Sequence, residues 1–353
     1  MGKYNVVDLF SGCGGFSYGF EQVGFNIVLG VDSWDLALET FQHNHNNCQV
    51  LHLDLHKKQA IRDIEKAVKN HNIDVIIAGP PCQGFSLTGT RDKNDKRNSL
   101  FESEFELAKV LSPKFLVIEN VPGLLTLYGG DTKEKIMSTG EELGYTMQHK
   151  ILYAPDFGVP QIRKRVFFVG SKIGKFEFPK PTHQEGEYVS CEEAIGDLPS
   201  LKGNIGLEES EYKKKPKTKY QKTMRRDSKN LHNHVGTIHQ KHVIEVIRQV
   251  PEGGNHKDLP KGVGESRKFN EAWTRYHSKK PSKTIDTGHG NHFHYKYNRV
   301  PTVRENARLQ SFPDKFEFKG PKTKQNVQVG NAVPPILGKI LATKIKKYLD
   351  ESA

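Results

Sequence analysis

Through the first 170 residues, short β-branched runs alternate with amphipathic stretches, and this alternation restricts the fold more tightly than any other feature of the chain. Tyr4–Leu9, Ile27–Val31, Val50–His52, Asp74–Ala78, Phe115–Ile118 and Arg165–Val169 read as strands. Between them, Ser33–Asn44, Lys57–Asn70 and Ser99–Leu111 carry apolar residues at helical spacing. Strands that alternate with helices predict a doubly wound, mostly parallel α/β sheet covered on both faces. Ligands of such sheets sit beyond the carboxyl ends of the strands, so the residues just after each strand are the first candidates for chemistry.

After about residue 180 the pattern breaks into irregular sequence rich in Gly, Pro, Lys and His. Helical spacing returns in the last thirty residues, with Ile336, Leu337, Ile340, Leu341, Ile345 and Leu349 on one face of Pro335–Leu349. The expected organisation is therefore a core at 1–180, a smaller loop-rich domain at 181–300, and a return segment at 301–353 that completes the core. At 353 residues and 35% apolar content, both parts can bury a hydrophobic core. Charge follows the same division. Residues Leu201 to Val300 hold 22 Lys and Arg against 10 Asp and Glu, which accounts for the whole net charge of +12. Nine of the 16 histidines and the run Lys213-Lys214-Lys215 lie in that window, with Trp273, Tyr276, Phe293, Tyr295 and Tyr297. A solvated basic stretch would explain residues 202–230 alone. Spread over a hundred residues with interleaved aromatics, the charge points to a surface that contacts phosphates.

The strand ends carry a consistent set of groups. The first runs into Asp8-Leu9-Phe10-Ser11-Gly12-Cys13-Gly14-Gly15-Phe16, a glycine-rich turn that lets backbone approach a ligand closely. A dinucleotide dehydrogenase places a similar loop here. However, Gly-x-Gly-Gly is not Gly-x-Gly-x-x-Gly, and Asp8 would repel a pyrophosphate while suiting a cofactor with an ammonium. The second strand ends at Asp32-Ser33-Trp34, offering a carboxylate for a ribose diol and a ring for adenine, and the third ends at Asp54-Leu55. The fourth enters Gly79-Pro80-Pro81-Cys82-Gln83-Gly84-Phe85-Ser86, whose two prolines stiffen the turn that presents the thiol. Glu119-Asn120 closes the fifth strand, and Gln161-Ile162-Arg163-Lys164-Arg165 puts two guanidinium groups on one side of an extended segment. A thiol, an acid and two arginines suit nucleophilic addition to a ring.

Taken in order, these segments resemble the cytosine-5 DNA methyltransferases of bacterial restriction-modification systems. The likeness runs through Asp8–Gly15, Gly79–Ser86, Glu119–Val121, Gln161–Arg165, Arg304–Pro313 and Gly330–Pro335. It implies an S-adenosylmethionine-dependent methyltransferase fold, with the target-recognition domain in the basic region. It further implies S-adenosylmethionine as cofactor, S-adenosylhomocysteine as product, no metal, and double-stranded DNA as substrate. Cys82 would add to C6 of a flipped cytosine, Glu119 would engage N3 and the amine, and Arg163 and Arg165 would hold the O2 side. Cofactor contacts would come from Asp8, Phe10, Gly12, Gly14, Phe16, Asp32, Ser33, Trp34, Asp54, Leu55, Pro80, Leu100, Asn331 and Ala332. Ser33 stands where the family often has a larger residue, so adenine stacking falls to Trp34 or another side chain. Gln83, Ser86, Asn120 and Gln161 would line the substrate. A cognate restriction endonuclease would be a functional partner.

Two readings compete. An RNA methyltransferase shares the core, but its Cys-Phe-Thr signature is missing here; a DNA-binding protein with a dead methyltransferase fold does not need Cys82, Glu119, Arg163 and Arg165 intact. The four cysteines form no CxxC pair, so neither a disulfide framework nor a zinc site is expected. With no apolar run near 18 residues and no leader-like start, the expectation is a cytoplasmic, nucleoid-associated monomer of bacterial or phage origin, without membrane contact.

Overall fold

The computed structural model describes residues 4–81, 101–201, 204–263, 271–288 and 290–353. It divides into two compact units. One comprises Met1–Tyr153, Lys164–Pro181 and Val333–Ala353, and the other Ala154–Arg163 and Thr182–Ala332. The division thus gives Ala154–Arg163 and residues 301–332 to the second unit, segments that the sequence pattern assigns to the core.

The first unit is built on β1 (Asn5–Leu9), β2 (Asn26–Asp32), β3 (Gln49–His52), β4 (Val75–Ala78), β5 (Phe115–Asn120), β6 (Thr146–Tyr153) and β7 (Lys164–Ser171). Their order across the sheet is β3-β2-β1-β4-β5-β7-β6. The first five run parallel; β7 lies antiparallel to both β5 and β6. All four residues of β4 and all six of β5 are buried, as continuous Val, Ile and Phe runs require when helices cover both faces. The interleaved helices are α1 (Gly15–Glu21), α2 (Asp35–Asn44), α3 (Lys58–Val68), α4 (Glu102–Leu111) and α5 (Asp131–Glu142). The chain order reverses between β1 and β4, and the parallel strands all present their carboxyl ends on one edge. Because β7 is antiparallel, its amino end reaches that same edge: Asn120 pairs with Val166, one residue past Arg165.

The second unit is mostly loop, with α6 (Cys191–Ile195), α7 (Lys219–Met224), α8 (Lys241–Gln249), α9 (Val303–Leu309) and α10 (Lys322–Asn331). Two-residue strands β8 (Glu209–Ser210) and β9 (Leu231–His232) pair antiparallel, and β10 (Thr274–Arg275) and β11 (His292–Phe293) pair parallel. Ile247, Val250, Phe293 and Val300 form one of its apolar clusters, Phe312, Phe316 and Phe318 pack together in another place, and ion pairs are buried within it. Arg308 clasps Asp314 through Nε (2.8 Å) and Nη2 (2.7 Å), and Arg299 clasps Glu305 at 2.7 and 2.6 Å. Arg299 and neighbouring histidines outweigh the cost of burial and hold the Glu305 carboxyl well below its ordinary range. Breaking such a pair on one side costs about 3–5 kcal/mol, because the remaining charge is stranded.

The last helix, α11 (Pro335–Glu351), belongs to the first unit and packs on α1. The two backbones approach so closely that a Cβ at Gly19 would sit 2.5 Å from the Lys339 amide, and one at Gly338 would sit 2.8 Å from the Phe16 carbonyl oxygen. Among the described residues no helix is long and apolar enough to cross a membrane.

Candidate functional site

At the carboxyl edge of the sheet, β1 ends in a loop of left-handed residues. Phe10, Gly12 and Gly14 have φ of 55°, 52° and 93°, and Gly14 caps α1. Only glycine suits position 14, since a Cβ there would overlap the His45 ring. His45 is buried beneath the loop, its ring tilted by 34° against Phe41 with centroids 4.2 Å apart, and joined to Glu21 at 2.8 Å. At Gly12, by contrast, a Cβ would meet nothing within 4 Å among the described residues. The loop is pinned by Asp32 at the end of β2. Its Oδ2 accepts from the Gly12 amide at 2.8 Å, and its Oδ1 accepts from the Trp34 amide at 2.9 Å. Each oxygen keeps a lone pair for a further donor.

Asp8 departs from its expected place. Its carboxyl is sealed inside the unit, accepting from Ser17 Oγ at 2.6 Å, and burial pushes it up to about 8. It is therefore not an exposed anion able to repel a pyrophosphate or attract an ammonium. Phe16 is likewise buried, edge-on to Phe20 and Phe167. Ser33 and Asp54 are exposed, Trp34 is half-buried and Leu55 buried. Asp54 Oδ1 accepts from the His56 amide at 3.1 Å, as a turn residue does.

A cofactor with a ribose and an adenine ring fits these residues. The Asp32 carboxylate could accept from a diol, the Trp34 ring could stack on a base, and Gly12, which lacks a Cβ, could allow close backbone approach. Ser11 Oγ, buried in the loop, has no hydrogen-bond partner among the described residues, so it could donate to or accept from a bound molecule.

Farther along the edge, Glu119 and Arg165 lie diagonally across β5 and β7, with Glu119 opposite Phe167. Arg165 Nε stands 2.9 Å from Glu119 Oε1, and the two side chains are 15% and 11% exposed. Arg165 Nη1 donates to the Lys164 carbonyl at 2.8 Å, leaving Nη2 without a hydrogen-bond partner among the described residues. The turn after β4 lies against the same carboxyl: a Cβ at Gly79 would be 3.8 Å from Glu119 Oε2. Asn120, buried, donates from Nδ2 to the Pro80 carbonyl at 3.2 Å and so braces the Gly79–Pro81 turn, a different task from lining a substrate. Cys82, Gln83, Ser86 and Leu100 lie outside the described residues. The other three cysteines are buried, and burial raises their thiols, Cys13 to about 12. None of the three is placed to act as a thiolate.

In the second unit, Gln161 and Arg163 are also buried. Gln161 Oε1 accepts from the Ile285 amide at 3.1 Å, and Arg163 Nη2 donates to the carbonyls of Gly330 and Ala332, each at 3.2 Å. β7 begins at Lys164, one residue after Arg163, and the Arg163 carbonyl accepts from the Ala154 amide at 2.8 Å. Asn331 is exposed and Ala332 half-buried. Gln310, which follows α9 and does not lie at a strand end, joins this group. Its Nε2 donates to the Ala332 carbonyl at 2.6 Å, and its only sequence signal is membership of the run Arg304–Pro313. Five lysines, at positions 213, 214, 215, 217 and 219, are exposed and have no ion-pair partner among the described residues. Their backbone is held by Arg225, which donates from Nη1 to the Lys214 carbonyl at 2.6 Å and lies 3.6 Å over the Tyr212 ring. Among the described residues no group of three or more His, Cys, Asp or Glu could hold a metal ion.

Residues 4–347 match the family model for C-5 cytosine-specific DNA methylases. The Type II methyltransferase M1.HphI of Haemophilus parahaemolyticus is 39% identical over 349 residues, covering 97% of this chain and 86% of that protein. The Type II methyltransferase M.DdeI of Desulfomicrobium norvegicum is 38% identical over 373 residues, covering 98% and 89%. Among solved structures, one described as a candidate DNA modification methyltransferase encoded within an E. coli prophage superposes with a TM-score of 0.80 at 27% identity, covering 99% and 100%. The S. pombe Dnmt2 methyltransferase shares the fold, with a TM-score of 0.63 at 16% identity over 98% and 99%.

Proposed function

Since the chain belongs to the C-5 cytosine-specific DNA methylases, we propose that it methylates C5 of a cytosine flipped out of double-stranded DNA, with S-adenosylmethionine as donor and Cys82 as covalent nucleophile. The observation that carries the reading is the Glu119–Arg165 pair, set beside the turn that leads into Cys82.

S-adenosylmethionine supplies an electrophilic methyl group bound to a sulfonium. Asp32, Trp34 and the Phe10–Gly14 loop would hold it, together with Leu55, Leu100, Asn331 and Ala332. Carbon 5 of cytosine is a poor nucleophile. A thiolate at Cys82 adds to C6, which pushes the ring electrons toward C5 and N3. The Glu119 carboxyl, carrying a proton, donates it to N3 as the electrons arrive there, and its other oxygen accepts from the exocyclic amine. Arg165 keeps Nε on Glu119 and turns Nη2 to O2, so one guanidinium both orients the acid and stabilises the ring. After methylation the C5 proton leaves to a base, and Cys82 is expelled as the C5–C6 double bond re-forms. Thiolate suits both steps, being a strong nucleophile and a good leaving group near neutral pH.

These ring atoms are unreachable in a stacked duplex, hence the flipped base. The second unit holds the excess positive charge, and the Lys213–Lys219 strap would contact backbone phosphates while its loops read base edges. The Type II relatives support a role in protecting host DNA from a companion endonuclease. Methylome sequencing of DNA from cells expressing the protein tests the whole reading. The expected result is 5-methylcytosine at one recurrent sequence; methylation of adenine, of N4, or of RNA alone contradicts it.

A further inference from the structure

The geometry around Ala332 assigns Arg163 a task other than holding the base: with Gln310, it positions the segment Gly330–Ala332 for the cofactor. This inference rests on the reading of Asn331 and Ala332 as cofactor contacts.

Three observations within the second unit carry it. First, Arg163 is 2% exposed, and its Nη2 is shared between the carbonyl oxygens of Gly330 and Ala332, both at 3.2 Å. One donor thus spans the two residues on either side of Asn331. Second, Gln310, fully buried, donates from Nε2 to the same Ala332 oxygen at 2.6 Å. Gln161 ties the two together. Its Nε2 donates to Gln310 Oε1 and to the Leu309 carbonyl, the latter at 3.3 Å, while its Oε1 lies 3.5 Å from Arg163 Nη1. Third, the backbone of Gly330 is pressed so hard against a neighbouring loop that a Cβ there would lie 2.8 Å from the Asp286 oxygen and 3.1 Å from the Thr287 amide.

The end of α10 is therefore clamped from both sides. Its carbonyls are drawn inward by a guanidinium and an amide, and Asn331 is left exposed. A guanidinium that turned to a base oxygen would leave these two carbonyls without their charged donor. Arg165 is differently placed, because its Nη2 is uncommitted among the described residues. The two arginines of one short segment thus divide the work. Arg163 orders the cofactor segment, and Arg165 faces the reaction.

The test uses the full-length protein and separates affinity from rate. Binding of S-adenosylhomocysteine is measured by titration calorimetry, and single-turnover methylation is measured at saturating cofactor, for Arg163→Lys and Gln310→Ala. The expected result is a Kd raised at least about tenfold in both variants, equivalent to about 1.4 kcal/mol, with the single-turnover rate within about threefold of wild type. An unchanged Kd in either folded variant, or a loss of rate larger than the loss of affinity, overturns the inference. Thermal melts show which variants fold; should Arg163→Lys not fold, Gln310→Ala decides alone. A wild-type protein that does not bind the ligand would instead sink the proposed function, so the two failures are distinguishable.

Discussion

Replacing Arg165 with methionine roughly keeps the length of the side chain but removes its charge and its donor to Glu119. At an N–O distance of 2.9 Å the charge centres are roughly 4 Å apart, and an effective dielectric near 20 gives a gross attraction of about 4 kcal/mol. Exposure of 15% and 11% leaves little water to compensate the remaining carboxylate, while the desolvation already incurred reduces the net value. A loss of about 2–3 kcal/mol in transition-state stabilisation follows, or roughly 30- to 150-fold in single-turnover rate. The assay is transfer of a labelled methyl group to duplex DNA under saturating conditions, for Arg165→Met, Glu119→Gln and the double variant. If the pair acts as a unit, the double variant is only slightly slower than the worse single one. Two losses that multiply fully would refute the reasoning, because they would show that the acid and the guanidinium act independently.

Asp8 makes stability depend on pH. Burial raises its carboxyl from 3.8 to about 8, so the folded chain retains a proton that the unfolded chain has released. Stability from this group is complete below about pH 4, declines as pH rises and is gone above about 8. Asp8→Asn, uncharged throughout, should show a shallower fall in melting temperature between about pH 5 and 8 than wild type, and equal slopes would contradict the buried neutral acid. In the second unit, replacing Lys213, Lys214, Lys215, Lys217 and Lys219 with glutamine should flatten the dependence of log K on log salt for duplex DNA, by about 0.9 for each phosphate no longer neutralised. An unaltered slope would return the strap to the solvated surface.

The alternation of the first 170 residues carried most of the core because its parallel strands are largely buried apolar runs, a signal that local composition preserves. The edge hairpin strand Thr146–Tyr153 escaped for the opposite reason. Gln148 and Lys150 leave its exposed faces polar, and only Met147 and Leu152 are buried. Helix α5, written Asp-Thr-Lys-Glu-Lys-Ile-Met-Ser-Thr-Gly-Glu-Glu, buries just Thr132, Ile136 and Gly140, so its period is faint. Within the site, the residues at strand ends were legible, since topology alone sends them to one edge. Their environments were not. Asp8 reads as a loop acid but is capped by Ser17, nine residues on, inside the unit. Arg163 reads as the twin of Arg165, yet its partners lie 167 and 169 residues away. Long-range pairings of this kind leave no mark on a single sequence.

A temporary carbon–sulfur bond to a cytosine lies at the heart of the reaction, and it can be trapped. Duplex DNA with 5-fluorocytosine at the target position replaces the departing C5 proton with a fluorine that no base can remove, so the adduct cannot resolve. With S-adenosylmethionine present, the expected product is a stable protein–DNA species that maps to Cys82 by peptide mass and is absent for Cys82→Ala. Full methylation of unmodified DNA by Cys82→Ala, or turnover on the fluorinated duplex with no adduct, would contradict it.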